Sequence, residues 1–458
     1  MVSGQELQQG IQAGRGPLAG PSAVESVRWW YRMARDPLGT YAALAGEYGD
    51  ALALPLPGRH ACYLLSRPEH AEHVLVSGRD NYVKAFTYRP LRAFLGSGSL
   101  TSEGVVWQRH RQVVQPVFAQ RRCAAFVPTM VDATARITAR WSHGDVVDAA
   151  ASMRELALDV VGRALFGSEL AADAGAAGRA LGTLQRGVLL GMILPIRSEA
   201  TLRALFARLP GPARDAAYLE SMVRRVITTR RSAPQRPGGR DLLDSLMAPA
   251  GRGGFRLDDA EVRDEVMTLV LAGHETAAAA LAWTLVLLAR YPAARARLEA
   301  EVDEVLGGRR CEFADVERLE WTNAVISEAM RLYPPAWTIE RDALADDTVA
   351  GVPVPAGTTV VISPYLQHRR ADLWPAPEGF HPERFLPSRE HPRYAYLPFG
   401  GGRRICVGAG FAMLEARIAL ATIAATHRLD LLPGTSVVPR AEVTLRPAGP
   451  VPMRVSRR

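Results

Sequence analysis

The sequence contains few of the residues that mark disulfide scaffolds, zinc sites or nucleic-acid-binding surfaces. It has only four cysteines in 458 residues, and no two of them form a C-x-x-C pair. This spacing argues against a disulfide framework or a zinc cage and favours a reducing compartment. Lys84 is the single lysine, so the net charge of +8 comes almost entirely from arginine. The arginines are scattered, without basic runs or interleaved aromatics, and no nucleic-acid partner is expected.

Long hydrophobic runs are also missing. The longest apolar run, AAAALAWTLVLLA at 277–289, has 13 residues, whereas a membrane span needs roughly 20. The N-terminus has neither the basic nor the apolar region of a signal peptide. Hydrophobic residues make up 48% of the chain and charged residues 22%, which is ordinary for a globular protein. We therefore expect a cytoplasmic monomer without a membrane anchor.

The patterns along the chain predict a mainly α fold with a small β region. Residues 1–20 are typical of a flexible leader, and residues 21–458 are expected to form a single domain. Segments near 36–84 alternate between helical and extended patterns. The longest predicted helix runs from about Asp258 to Arg290, roughly 50 Å at 1.5 Å per residue. Because its second half is apolar, it must cross the protein interior, although it carries the polar segment AGHET at 272–276.

One cysteine lies in an unusual setting, the stretch PFGGGRRICVGAG at 398–410. Phe399, Gly402, Cys406 and Gly408 form the pattern F-x-x-G-x-x-x-C-x-G. Glycines permit a tight turn and a close backbone approach. The apolar-periodic stretch that follows, ending near His427, predicts a helix whose N-terminus stabilises negative charge on sulfur. A low thiolate pKa is expected in such a setting.

Two alternative interpretations of these segments fail on a required residue. His274 and Glu275 could begin the zinc-protease motif H-E-x-x-H, but the fifth position is Ala278. The glycines around Gly408 could begin G-x-G-x-x-G, but the last position is Met413 and no βαβ unit precedes it.

Four further motifs accompany the cysteine pattern. Glu328 and Arg331 form E-x-x-R, and Arg384 lies in PERF at 382–385. Trp107 and Arg111 form W-x-x-x-R, and AGHET lies on the long predicted helix. All five elements, in this order over about 300 residues, resemble the cytochrome P450 haem-thiolate enzymes, and the resemblance covers nearly the whole chain.

The resemblance implies a cytochrome P450 fold with its long central helix over haem b. It implies a monooxygenase that inserts one atom of O2 into a lipophilic small molecule, in secondary metabolism. The chain carries no flavin or iron–sulfur module, so electrons are expected from separate proteins, a ferredoxin and its reductase. Oxidative coupling, desaturation or rearrangement is an alternative outcome, and a non-catalytic haem-binding sensor is a second alternative.

The resemblance also assigns roles to individual residues. Cys406 would ligate the iron within the loop that contains Phe399, Gly402 and Gly408, and Cys ligation favours O–O cleavage. The haem propionates would be held by Arg404, Arg111 and Arg341, with the indole N–H of Trp107, because arginine binds carboxylates bidentately. For Arg341, an ordinary arginine on a strand surface is the alternative. Glu328, Arg331 and Arg384 would form a buried network that supports folding and haem incorporation.

The AGHET segment is expected to carry chemistry. Thr276 can donate its hydroxyl to the carbonyl of Ala272 and loosen the helix. By resemblance, Glu275 and Thr276 would relay protons. The alternative for Thr276 is an ordinary core residue whose hydroxyl is satisfied by a hydrogen bond within the core. The substrate pocket is expected to draw on the apolar residues Phe86, Tyr88, Leu91 and Phe94, on 187–195, on AGHET and on 336–339. These apolar residues could equally be plain core.

Overall fold

The computed structural model describes residues 18–54, 61–167, 174–194, 196, 198–232, 241–248 and 256–458. All but the last three residues of the predicted leader, 1–20, therefore lie outside the described residues. The chain divides into two compact units. The first comprises Met1–Thr87, Arg331–Gly379 and Glu390–Cys406, and the second comprises Tyr88–Met330, Phe380–Arg389 and Val407–Arg458. The single domain over 21–458 stays a prediction.

The first unit combines short helices with a mixed sheet. Its helices are α1 (Ala23–Arg35), α2 (Pro37–Tyr48), α3 (Pro68–Glu72) and α16 (Pro364–Gln367). Its strands are β1 (Ala51–Ala53), β2 (Cys62–Leu65), β3 (Tyr82–Lys84), β5 (Ile339–Ala343), β6 (Asp347–Val349), β7 (Val352–Val354) and β8 (Thr359–Ile362). A single π turn, His73–Ser77, follows α3. The alternation of helical and extended segments predicted near 36–84 is confirmed by α2, β1, β2, α3 and β3.

The sheet of the first unit has the order β1-β2-β8-β5-β3. β2 and β8 are parallel, with Cys62 opposite Thr359, whereas the other neighbours are antiparallel. Both faces are covered, because β2 and β8 are buried along their whole length. One face packs under α2 around Leu44, and the other packs around Tyr63 and Leu75.

The second unit is mostly helical. Its larger helices are α4 (Tyr88–Leu95), α5 (Gly104–Val114), α7 (Val127–Thr138), α8 (Ala149–Phe166), α9 (Ala174–Ile193), α10 (Glu199–Arg208), α11 (Pro210–Ser232), α13 (Asp259–Arg290), α14 (Pro292–Leu306) and α17 (Ala409–Thr426). The short helices are α6 (Gln120–Cys123) and α12 (Leu242–Met247), and α15 (Glu320–Leu332) begins in this unit. Its strands are β4 (Val146–Asp148), β9 (His427–Leu431), β10 (Pro439–Ala441), β11 (Leu445–Pro447) and β12 (Pro452–Arg457).

The long central helix predicted from Asp258 is confirmed as α13. Asp258 caps it: its carboxylate accepts a hydrogen bond from the backbone N–H of Glu261, and the carboxylate of Glu261 accepts one from the backbone N–H of Asp258, so that two N-terminal donors are satisfied. Its close packing against α8 depends on Gly273, because a Cβ there would lie 3.0 Å from a methyl group of Val161. Among the described residues, α13 and α17 are long and apolar enough to cross a membrane. Most of the apolar segment of α13, however, is buried inside the protein.

Candidate active site

The glycine-rich loop before Cys406 has a backbone conformation that residues with a Cβ could not adopt. Gly400 and Gly402 have positive φ angles of 70° and 64°. A Cβ at Gly402 would lie 1.9 Å from the carbonyl oxygen of Leu75, so only glycine fits there. The backbone N–H of Cys406 donates to the carbonyl of Phe399 at 3.0 Å and closes the loop. Its shape is therefore set by backbone contacts within the first unit.

The four cysteines, all in the described part of the chain, differ in accessibility. Cys406 is exposed, Cys62, Cys123 and Cys311 are buried, and none is in a disulfide. Burial raises the pKa of Cys123, and it raises the pKa of Cys311 to about 11, with Asp315 adding to the effect. Cys123 and Cys311 therefore stay protonated at neutral pH, and Cys406 is the exposed cysteine that can offer its sulfur to a ligand.

Three arginines of the first unit, on β5 and in the cysteine loop, differ in burial. Arg341, on β5, is 7% exposed and donates to the carbonyl of Glu340 at 2.8 Å, so it is not an ordinary surface arginine. Arg404 lies half-buried in the 3-10 turn Gly402–Arg404. Arg403 is exposed and pairs with Asp80 at 2.7 Å. Arg341 and Arg404 have the burial expected of anion-binding groups, whereas Arg403 faces solvent.

Trp107 and Arg111 lie one turn apart on α5 in the second unit. Trp107 is buried, and the Nε of Arg111 donates to Gln115 at 3.1 Å. Because residues four apart share a helix face, these two donors act on the same side of α5. Gly408, two residues after Cys406, is the N-cap of α17, which confirms the helix predicted there.

The E-x-x-R motif lies in α15, and both its charged side chains are fully buried. Glu328 accepts from the Nε of Arg384 at 3.4 Å and from the backbone N–H of His381 at 2.9 Å. In the first unit, Arg331 donates to three backbone carbonyls, those of His368, Pro377 and Gly379. Each buried charge is thus compensated, which a buried charge requires.

The predicted hydrogen bond within AGHET is present. The hydroxyl of Thr276 donates to the carbonyl of Ala272 at 2.7 Å. The predicted widening is absent, because α13 remains α-helical through residues 272–276. Its hydrogen-bond ladder therefore tolerates the extra donor.

Glu275 is buried but not isolated. Burial raises the pKa of its carboxyl, and Arg446 and Arg154 oppose that shift. The Nε of Arg446 lies 3.6 Å from Oε1 of Glu275. Burial lowers the pKa of His274, its neighbour, to about 4, so that imidazole is neutral at pH 7. Glu275 also lines a cavity of about 950 Å³ in the second unit. These surroundings combine a raised pKa with access to water, the combination expected of a proton-transfer group.

The residues expected at the substrate pocket divide by packing. Leu91 and Phe94 of α4 are buried. Phe94 stacks on Phe206 with ring centroids 4.4 Å apart, and a Cβ at Gly187 would approach its ring to 3.0 Å. Phe94 nevertheless also lines a second cavity of about 920 Å³ in this unit. Phe86 and Tyr88 are half-buried, and Pro195 at the end of 187–195 lies outside the described residues.

Each of the two units by itself presents donors of the kind that bind a haem. The first unit supplies one exposed thiol on a loop that only glycine permits, together with the buried Arg341. The second supplies a buried indole and an arginine on one face of α5. A thiolate, several guanidinium groups and an indole N–H are the donors that iron and two propionates require.

Comparisons with known proteins identify the family to which the chain is similar. The family model described as cytochrome P450 matches residues 27–452. The chain is 38% identical to cyclooctatin synthase of Streptomyces melanosporofaciens, over 95% of this chain and 93% of the relative. It is 35% identical to pentalenene oxygenase of Streptomyces avermitilis, over 93% and 94%. The crystal structure of the cytochrome P450DA heme domain superposes with a TM-score of 0.82 at 26% identity, covering 92% of this chain and 93% of that one.

The haem-thiolate class indicated by the loop and the fold is thereby established, and the chain belongs to the cytochrome P450 family. It is a monooxygenase that binds haem b through a cysteine thiolate and uses O2, a lipophilic substrate and separate redox partners. The predicted fold, mainly α with a small β region, is confirmed.

Two polar clusters on α13 could not be found from the sequence motifs. Ser99 and His110 contact Glu265, and Arg446 contacts Glu275. The partners lie between 155 and 171 positions apart in sequence, and a lone serine, histidine or arginine carries no local signal of such a contact. The only hint was the placement of two acids, Asp264 and Glu265, within the apolar pattern of a buried helix.

Proposed function

We propose that Cys406 is the iron ligand and that the arginines and Trp107 hold the haem carboxylates. The exposed thiol in a glycine-shaped loop is the observation that carries this assignment. When bound, the haem supplies the activation of O2, so that one oxygen atom enters the substrate and the other leaves as water. Cys406 lies three residues before Ala409, where α17 begins, and a helix N-terminus favours an anionic sulfur. Arg341, Arg404 and Arg111 would neutralise the propionates.

The test of the ligand is a substitution with a matched cysteine control. Cys406→Ser is expected to abolish the strongly red-displaced Soret maximum of the reduced, carbon monoxide-treated protein. Cys311→Ala removes a buried thiol from the same chain and is expected to leave that maximum unchanged. The same maximum in Cys406→Ser as in the parent would overturn the assignment.

The second part of the proposal concerns proton transfer. Glu275 has a raised pKa and borders a cavity, and Thr276 follows it on the same helix. A carboxyl that exchanges protons with water, next to a hydroxyl, can deliver protons into an otherwise apolar site. Glu275 and Thr276 therefore act as the proton relay of the monooxygenase.

Thr276→Ala is expected to raise peroxide release per electron pair, because a site that receives too few protons releases reduced oxygen unproductively. Thr284→Ala is a close control, since Thr284 lies on the same helix and donates to the carbonyl of Ala280 at 2.8 Å. It removes an equivalent helix hydroxyl without touching the relay. Equal coupling in the parent and Thr276→Ala would remove Thr276 from the relay.

The substrate class is proposed from the relatives. Cyclooctatin synthase, pentalenene oxygenase and cyclooctat-9-en-7-ol 5-monooxygenase are named for reactions on cyclic compounds in Streptomyces. The buried and half-buried apolar residues of α4 are compatible with a hydrocarbon ligand. A cyclic terpenoid, hydroxylated in secondary metabolism, is the substrate that these relatives support. Coupling, desaturation or rearrangement of such a molecule would use the same site.

A ligand screen tests the substrate class. Cyclic terpenes and their alcohols are expected to shift the haem absorption spectrum of the ferric protein at micromolar concentration. Straight-chain fatty acids and macrolides of similar mass serve as comparison ligands. Tighter binding of either comparison class would contradict the terpenoid assignment, and product analysis would separate hydroxylation from the alternative outcomes.

Electrons are proposed to come from a ferredoxin and its reductase in the cytoplasm. The candidate docking residues are four arginines: Arg109, Arg121, Arg122 and Arg403. Arg109 is engaged by Glu261 at 3.2 Å and Arg403 by Asp80. Arg121 and Arg122 on α6 are exposed and have no ion-pair partner among the described residues. Their charges are thus available to an acidic partner.

Arg121→Gln with Arg122→Gln is expected to slow reduction by a ferredoxin at low salt. Added salt should slow the parent more steeply than the variant, because screening removes only the charges that take part in docking. Arg224→Gln, which removes an exposed arginine of α11, is the control. A reduction rate indifferent to ionic strength in the parent would reject electrostatic docking.

A further inference from the structure

The C-terminal hairpin places one arginine between two carboxylates. β10 and β11 pair antiparallel, with Arg440 opposite Arg446. The Nη2 of Arg446 contacts Glu442 on the same hairpin, while its Nε lies 3.6 Å from Glu275 of α13. The side chains of Glu442 and Arg446 are 13% and 22% exposed, against 8% for Glu275. A single guanidinium group is therefore shared between the hairpin and the central helix.

The cavity of about 950 Å³ explains why this arginine is in reach of water. Its wall includes His274 and Glu275 of α13, Arg446 of β11, and Gly449, which follows β11. The other charged groups on the wall are Asp148 at the end of β4, Arg154 and Glu155 of α8, Arg179 and Arg186 of α9, and Arg214 and Asp215 of α11. A cavity with so many charged groups on its wall holds water.

The charges that act on Glu275 come from few of these groups. Arg446 and Arg154 favour its ionised form, whereas burial, the largest influence, and Glu442 disfavour it, so that the pKa of Glu275 is raised. His274, whose Nδ1 lies 3.9 Å from Oε2 of Glu275, is neutral at pH 7 because burial lowers its pKa to about 4. Arg446 is the only one of these cations for which the structure gives a direct contact with the carboxylate at ion-pair distance.

We propose that Arg446 is a positioning residue for the proton relay, holding the carboxylate of Glu275 at the edge of the water-filled cavity. Because Glu442 binds the same guanidinium, the hairpin determines how strongly Arg446 attracts Glu275. An isolated buried carboxyl would remain protonated and would be a poor acceptor of the next proton. With Arg446 beside it, Glu275 can release its proton inward and be recharged from the cavity. This inference rests on the proposed role of Glu275.

The experiment compares holoenzyme variants Arg446→Gln and Arg179→Gln. Both substitutions remove one positive charge from the wall of the same cavity, but Arg179 is not among the groups that shift Glu275. The first readout is the infrared band of the protonated Glu275 carboxyl in the resting ferric protein, identified by its loss in Glu275→Gln. In Arg446→Gln the midpoint of its pH titration is expected to rise by about one pH unit. In Arg179→Gln it should stay at the parental value.

The second readout is coupling of electron use to product. Arg446→Gln is expected to release more peroxide than the parent, and Arg446→Gln in a Glu275→Gln background should add nothing further. Glu442→Gln should lower the titration midpoint, because it leaves Arg446 to Glu275 alone.

The outcomes separate the two proposals. Equal titration midpoints in Arg446→Gln and Arg179→Gln would overturn the positioning role of Arg446. A second outcome is a shifted midpoint in Arg446→Gln together with parental coupling in both Arg446→Gln and Glu275→Gln. That outcome would support the positioning of Glu275 by Arg446 and overturn the proposed role of Glu275 in the relay.

Discussion

Two buried glutamates on the central helix, ten residues apart, have opposite surroundings. Glu265 is fully buried and accepts from the hydroxyl of Ser99 at 2.6 Å and from the backbone N–H of Ser99 at 2.7 Å. Nδ1 of His110 lies 2.6 Å from Oε2 of Glu265, the oxygen that also accepts from the backbone N–H of Ser99, and the side chains of His110 and Glu265 are both 0% exposed. The contacts of Glu275 are long, 3.6 Å to Arg446 and 3.9 Å to Nδ1 of His274, and Glu275 borders a cavity.

The loop that supplies Ser99 is fitted closely to α13. The backbone N–H of Ser97 donates to Asp264 at 2.6 Å. A Cβ at Gly98 would lie 2.2 Å from the hydroxyl oxygen of Thr268, and Gly96 has a φ of 78°. The loop therefore reaches the helix only because two of its residues are glycines. Residues 96–99 connect α4 to the chain leading into α5, so this contact fixes the start of the segment that carries Trp107 and Arg111.

The difference teaches how the same residue type serves structure in one place and chemistry in another. A carboxylate whose acceptor positions are filled by short hydrogen bonds stabilises the fold and has no capacity left for a substrate proton. A carboxylate with one long ion pair and nearby water can change its protonation state at small cost. Three substitutions test this contrast, in decreasing order of the expected loss of stability.

The largest effect is expected for Glu265→Ala. The substitution leaves the hydroxyl and N–H of Ser99 and the imidazole of His110 buried without their acceptor. We expect the free energy of unfolding to fall by about 3–5 kcal/mol, because each donor that loses its acceptor in the interior costs about 1–3 kcal/mol. Urea unfolding of the holoprotein measures it. Glu304→Ala, an exposed glutamate on α14, is the control, with an expected change within about 0.5 kcal/mol. Equal stability of the two variants would show that the Glu265 cluster is not structural.

An intermediate effect is expected for Ser99→Ala. It removes the hydroxyl donor but keeps the backbone N–H, so Glu265 loses one hydrogen bond to a charged group, worth about 1.5–3 kcal/mol. Thermal unfolding should show a lower midpoint. In Ser97→Ala the backbone contact to Asp264 survives, since the hydroxyl takes no part in it. A midpoint for Ser99→Ala as high as that of Ser97→Ala would contradict the assigned hydrogen bond.

The smallest loss of stability is expected for Glu275→Gln, within about 1 kcal/mol. Because burial raises the folded-state pKa of Glu275, the folded protein binds this proton more tightly than the unfolded chain does. Parental stability should therefore fall as pH rises from the unfolded pKa, near 4.5, through the folded pKa. Glu275→Gln lacks that dependence and should be at least as stable as the parent above this range. A loss as large as that of Glu265→Ala would mean that Glu275 is structural too.

The sequence predicted those parts of the molecule that depend on local patterns. The helix from Asp258, the helix after Cys406 and the bond from Thr276 to Ala272 all follow from residues at most four positions apart. The glycine loop was predictable because positive φ angles and close approaches require glycine. The loosening of α13 at Thr276 was wrongly expected, because an extra side-chain donor need not break the backbone hydrogen-bond ladder of a helix.

The rest required the fold. Arg446 and Glu275 are 171 residues apart, and Glu265 and Ser99 are 166 apart. No periodicity or motif links such residues, because their contact arises only when a hairpin or loop packs on the central helix. The burial of Arg341 was likewise undecided, since an arginine on a short strand can face either side until the sheet has been assembled.

The uneven burial of the cysteines provides a way to measure how much of the protein has bound its cofactor. Three sulfurs are enclosed and one is exposed. A thiol-alkylating reagent should therefore label a single position in cofactor-depleted chains, and iron bonded to that sulfur would block the reagent. Counting labelled chains by mass spectrometry would then report the fraction of any preparation that has incorporated its prosthetic group.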